Sequence, residues 1–95
     1  MSDAREQLIQ VLRDLESRLE EHEEDHWKAW MAKSRRLLEA GDLHGAHHLL
    51  SAYGGMGSFS DLYLHPKRKH QDTFAGLRSK AYGLARKLTR QTPGP

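Results

Sequence analysis

A chain of 95 residues with no cysteine has room for one small hydrophobic core, and it excludes disulfides, thiolate zinc sites and a cysteine nucleophile. Only 37% of the residues are hydrophobic and the mean hydropathy is -0.82, so the expected core is thin and supplied by Leu, Ala, Met and the aromatics. The formal charge of +2 conceals opposite ends: residues 1–26 hold three Arg against nine acids, and residues 65–95 hold eight Lys and Arg against Asp72 alone.

Leu8, Leu12, Leu15 and Leu19 recur at helical spacing, with Ser2 or Asp3 placed to cap. The next apolar face, Trp27, Trp30, Met31, Ser34, Leu37 and Leu38, is rotated from that stripe, which predicts a bend or break near residues 21–25. Gly41 followed by Asp42 ends this helix and opens another. The third helix carries Leu43, Ala46, Leu49, Leu50 and Tyr53 and is expected to stop at Gly54-Gly55. Ser58 and Asp61 have capping-box spacing ahead of Phe59, Leu62, Tyr63 and Leu64, a short turn that ends at His65-Pro66. A basic connection, Lys67 to His70, leads to the last stripe of Phe74, Leu77, Ala81, Leu84, Ala85 and Leu88. The expected fold is all-α, a compact antiparallel bundle of four or five helices. Its first and last helices are neighbours, and it forms a single domain over residues 1–90 with a disordered tail over 91–95.

The glycine-rich loop at 54–58 has two readings. Its amides can form an anion-binding concavity. The preferred reading is structural: glycines end the third helix, Met56 enters the core and Ser58 caps the next turn, since neither a phosphate-loop lysine pattern nor a preceding strand is present. Tyr53-Gly54-Gly55-Met56-Gly57-Ser58-Phe59-Ser60-Asp61-Leu62, preceded by Trp27, Trp30, Gly41-Asp42 and Leu49-Leu50, resembles a small bacterial family of uncharacterised helical proteins. Arg78 to Ala85 is similar to that family's closing helix. The resemblance implies a helical fold and a bacterial source, and it carries no activity or catalytic residue.

His22-Glu23-Glu24-Asp25-His26 matches His-Glu-x-x-His, which on a helix presents two imidazoles and a glutamate to zinc. The match falls on the predicted break, and nothing marks Glu39, His44, His47 or His48 as a third ligand. His22 and His26 therefore stand as weak metal-ligand candidates against an expectation of no metal and no cofactor. His44 and His48 are also four apart, and His47 is read as lying nearer the Leu43 and Leu50 side.

The basic 65–90 segment, with Arg78, Lys80, Arg86, Lys87 and Arg90, raises nucleic acid or a phosphate ligand as a partner. Pairing of the acidic N-terminal segment with this basic helix, within one chain or across a dimer, is preferred. Trp27 and Trp30 share a helix face and are expected to anchor the core against the third helix and the loop. The favoured function is a noncatalytic protein-interaction module, with a homodimer as its accompanying expectation. Its binding residues are Trp27, Trp30, Tyr53, Gly55, Gly57, Ser58 and Asp61, and none is catalytic. No apolar run reaches the roughly 18 residues that span a bilayer, and Met1-Ser2-Asp3-Ala4 has no basic leader, so a cytoplasmic protein without a membrane role is expected.

Overall fold

Asp3 opens the first helix: its carboxylate accepts the Glu6 N–H at 2.8 Å, which satisfies one of the amides left unpaired by the helix start. A computed structural model describes residues 3–54, 59, 62 and 68–91. It contains α1 (Ala4–Glu21), α2 (Asp25–Glu39), α3 (His44–Leu50) and α4 (Arg68–Gln91), with no strand among the described residues. The radius of gyration, 12.8 Å, is close to the roughly 12 Å of a compact domain of this length.

The break between α1 and α2 lies where the rotated stripe predicts it. The Glu23 N–H donates to the Glu20 carbonyl at 3.1 Å and the Glu24 N–H to the Leu19 carbonyl at 2.9 Å. This is a Schellman closure, and it places Glu23 in the left-handed region at φ 57°. The end of α2 repeats the motif: Gly41 sits at φ 84°, and the N–H groups of Gly41 and Asp42 donate to Leu38 and Leu37 carbonyls. The same bond pattern is thus carried once by glycine and once by a glutamate, for which that conformation is strained.

Three boundaries differ from the sequence reading. Leu43, not Asp42, occupies the cap position of α3, and Asp42 reaches in from one residue further out to accept the His44 N–H at 2.9 Å. The α3 helix ends at Leu50, and residues 51–54 continue as turns. Helical spacing of Tyr53 reflected inward direction rather than continued helix. Finally, α4 begins at Arg68, so the basic stretch expected as a connection forms its first turn.

The four helices close a ring in which α1 packs on α2 and α4, and α3 packs on α2 and α4. Neighbours are antiparallel: Arg5 donates to the Leu38 carbonyl and Lys28 pairs with Glu20, while Leu88 lies beside Asp3 and Ala4, and Thr73 beside Glu21. The expected leucines Leu8, Leu12, Leu15 and Leu19 are fully buried, joined by Val11 and by Met31, Leu38, Leu49, Phe59 and Phe74.

No ion pair among the described residues joins the acidic carboxylates of α1 to the basic side chains of α4. Among the described residues, the carboxylates of α1 that form ion pairs turn to α2: Arg35 holds Glu16 with two bonds of 2.6 and 3.1 Å and reaches Glu39 at 2.8 Å, Arg13 also pairs with Glu39, and Lys28 with Glu20. The Glu16 hydrogen bond and charge hold the Arg35 guanidinium further above its already high range. These contacts fasten α1 to α2 and leave the outward side of α4 without them.

Candidate functional site

The start of α2, the turn that follows α3 and the first half of α4 meet around Phe59, which is fully buried. Its N–H donates to the Ala52 carbonyl at 3.0 Å. Trp27 lies 5.4 Å from its ring, Tyr53 meets it edge-on at 5.6 Å, and Phe74 of α4 meets it edge-on at 5.7 Å. Such tilted and edge-to-face contacts match the aromatic quadrupoles and add stabilisation beyond area burial.

Close approach of α2 and α3 depends on Gly45. It is buried, and a Cβ there would stand 2.6 Å from the Ser34 carbonyl oxygen and 2.9 Å from Leu38 Cγ. With the helices this near, Ser34 Oγ reaches His48 Nδ1 at 2.8 Å, the Trp30 indole N–H donates to the His48 carbonyl at 3.0 Å, and the Trp30 and His48 rings stack at 4.6 Å. Burial, with a smaller contribution from the Lys33 charge, pushes the His48 pKa below its ordinary value. A serine beside a histidine is the pairing used in nucleophilic catalysis, but Ser34 is fully buried, so its hydroxyl ties α2 to α3 instead of meeting a substrate. His48, not His47, is the inward histidine of α3; His44 and His47 are exposed.

Arg78 fixes the other side. Its guanidinium lies over the Phe74 ring at 5.1 Å and donates to the carbonyls of Phe59 and Leu62 at 3.1 and 2.9 Å. The Tyr53 hydroxyl donates to the Arg78 carbonyl at 2.7 Å, and burial pushes its pKa well up. Arg78 is therefore engaged by backbone carbonyls, which corrects its place in the expected phosphate-binding group. Its position one helical turn from Phe74 and Ala81, on the inward side of the stripe, was the available signal for this role.

Of the expected binding residues, Trp27 and Tyr53 meet Phe59, and Trp30 joins them through its ring contact with Trp27 at 5.6 Å. All three are half-buried and packed against the core. Gly55, Gly57, Ser58 and Asp61, with Met56, lie outside the described residues. The sequence reading placed the 54–61 loop in the site without singling out Phe59, and it omitted His48 and Tyr82. The ring chain extends outward through His26, 4.7 Å from Trp27, and through Tyr82, 5.1 Å from Tyr53.

His22 and His26 do not share a helix face. His22 caps α1, Glu23 is left-handed, and His26 lies in the first turn of α2. The break removes the geometry that His-Glu-x-x-His requires. Among the described residues, no group of three His, Asp or Glu gathers as a metal site, and no helix is long and apolar enough to cross a membrane.

No curated protein and no solved structure matches the chain. A family model matches residues 20–73, which runs from the end of α1 through α2, α3 and the aromatic centre into the first turns of α4. It stops short of the Arg78 to Ala85 segment that also suggested a resemblance. The match spans more than half the chain, and with the helical architecture it shows that the protein belongs to the family described as a domain of unknown function, DUF6966.

Proposed function

We propose that this chain is a noncatalytic protein-interaction module that receives its partner on the aromatic face around Phe59. The observation that carries this reading is the unbroken ring contact His26–Trp27–Phe59–Tyr53–Tyr82 across α2, the loop and α4. It starts at the exposed His26 and ends at Tyr82, 38% exposed, with Arg86 over the Tyr82 ring at 5.8 Å. Interface hot spots are rich in Trp, Tyr and Arg because rigid rings desolvate large areas at small entropic cost. Gly55, Gly57, Ser58 and Asp61 belong to the proposed surface through their place in the adjoining loop. A bacterial source and a cytoplasmic location are part of the same reading.

The test uses the purified chain as bait in a lysate of its source cell, beside His26→Ala and Tyr82→Ala, whose exposed positions leave the core intact. A protein retained by the wild type and lost with both variants, at an unchanged melting temperature, supports the proposal. Equal capture by all three refutes it. A second reading, a nucleic-acid or phosphate-ligand binder, draws on the exposed Lys80, Arg86, Lys87 and Arg90. It is weakened by the engagement of Arg78 and by the carboxylates that flank Lys80.

A further inference from the structure

The α1/α4 side of the bundle, away from the aromatic centre, carries a second arrangement. Asp14 and Lys80 line one groove of about 440 Å³ together with Glu6, Gln10, Val11 and Leu77. The acidic wall belongs to α1 and the basic wall to α4. Glu6 lies roughly 12 Å before Asp14 at 1.5 Å per residue, and Lys87 roughly 10.5 Å after Lys80. Because the helices are antiparallel, Glu6 lies level with Lys87 and Asp14 with Lys80. All four side chains are exposed, and no ion pair among the described residues involves any of them.

We propose that this face binds a second copy of the chain. A twofold axis running along the helices places α1 of one protomer over α4 of its partner, and α4 over the partner's α1. The antiparallel relation is preserved, so Glu6 meets Lys87 and Asp14 meets Lys80 across the interface, each twice. The face is its own electrostatic complement. On the outward side of α4, Gly76 and Gly83 have no atom within 4 Å of a Cβ position, which lets a partner helix come near. A nucleic-acid backbone fits this face less well, because the α1 carboxylates in the same groove repel phosphate.

Charge reversal tests the pairing in the full chain. Sedimentation at low salt should show a dimer whose Kd weakens by roughly tenfold as the screening length falls from about 10 Å at 0.1 M salt to about 3 Å at 1 M. Asp14→Lys alone and Lys80→Asp alone should be monomeric, since each confronts like charges twice. Their equimolar mixture should form a heterodimer, in which every reversed charge meets its complement. Glu6→Lys and Lys87→Glu provide a second such pair if one of the first variants loses its helical circular dichroism. A wild type monomeric at every salt, variants that self-associate like the wild type, or folded variants that fail to pair would each overturn the proposal. Salt-sensitive binding of duplex DNA by a chain that stays monomeric would do so in favour of a nucleic-acid surface.

Discussion

Replacing Gly45 with Ala perturbs the contact on which the α2/α3 crossing rests. The new Cβ would sit 2.6 Å from the Ser34 carbonyl oxygen, whereas ordinary contact begins at 3.4 Å, so α3 must withdraw from α2 by about 0.8 Å. The obstacle is backbone and cannot rotate away. Overpacking of this kind costs about 1–3 kcal/mol, an immovable backbone obstacle places Gly45 in the upper half of that range, about 2–3 kcal/mol, and the better helix propensity of Ala returns about 1 kcal/mol. A net loss of about 1–2 kcal/mol corresponds to a melting temperature lower by roughly 5–15 °C in a domain of this size. Withdrawal also lengthens the Ser34–His48 and Trp30–His48 hydrogen bonds, so tryptophan emission should shift to the red in the folded variant. Gly83→Ala is the control: it is helical, exposed and open on all sides within 4 Å, and dilute protein should gain up to about 1 kcal/mol. Thermal melts followed by circular dichroism measure both. A Gly45→Ala chain as stable as the wild type would refute the close-approach argument.

Glu23→Gly removes a side chain from the left-handed closure of α1 and should stabilise the fold by about 1 kcal/mol in urea unfolding; no gain would mean that the strain is relieved elsewhere. Arg78→Met leaves the Phe59 and Leu62 carbonyls without their donor and should cost about 2–3 kcal/mol, with a red shift of Trp27 emission as Phe59 loosens; an unchanged melt would remove Arg78 from its pinning role. His48 binds its proton more weakly in the folded chain than in the unfolded one. Its contribution is therefore fully present above the ordinary value of 6.5 and is lost as pH falls through the lower folded-state value. Urea titrations across that window should show wild-type stability falling more steeply with acid than that of His48→Gln, and parallel slopes would contradict the burial of the imidazole.

Local patterning in the sequence determined the helices. The leucine spacing of α1, the rotation of the Trp27–Leu38 face and the Gly41-Asp42 pair are short-range features, and each acts on backbone within a turn or two. They also placed Trp27, Trp30 and Tyr53 on inward faces. What periodicity does not carry is the partner of each inward face. Phe59 reads as one apolar residue in a short turn, and it becomes the centre only because α2, the turn after α3 and α4 converge on it. Gly45 reads as an ordinary helical glycine until Ser34 stands against it, and Arg78 as one cation among eight until its guanidinium finds two carbonyls. Charge is the plainest case. The sequence fixes that the ends are opposite in sign, but ion pairs form across distances of a few ångströms, so only the ring order of the helices decided that α1 would give its carboxylates to Arg35 and Lys28 and leave α4 to face outward.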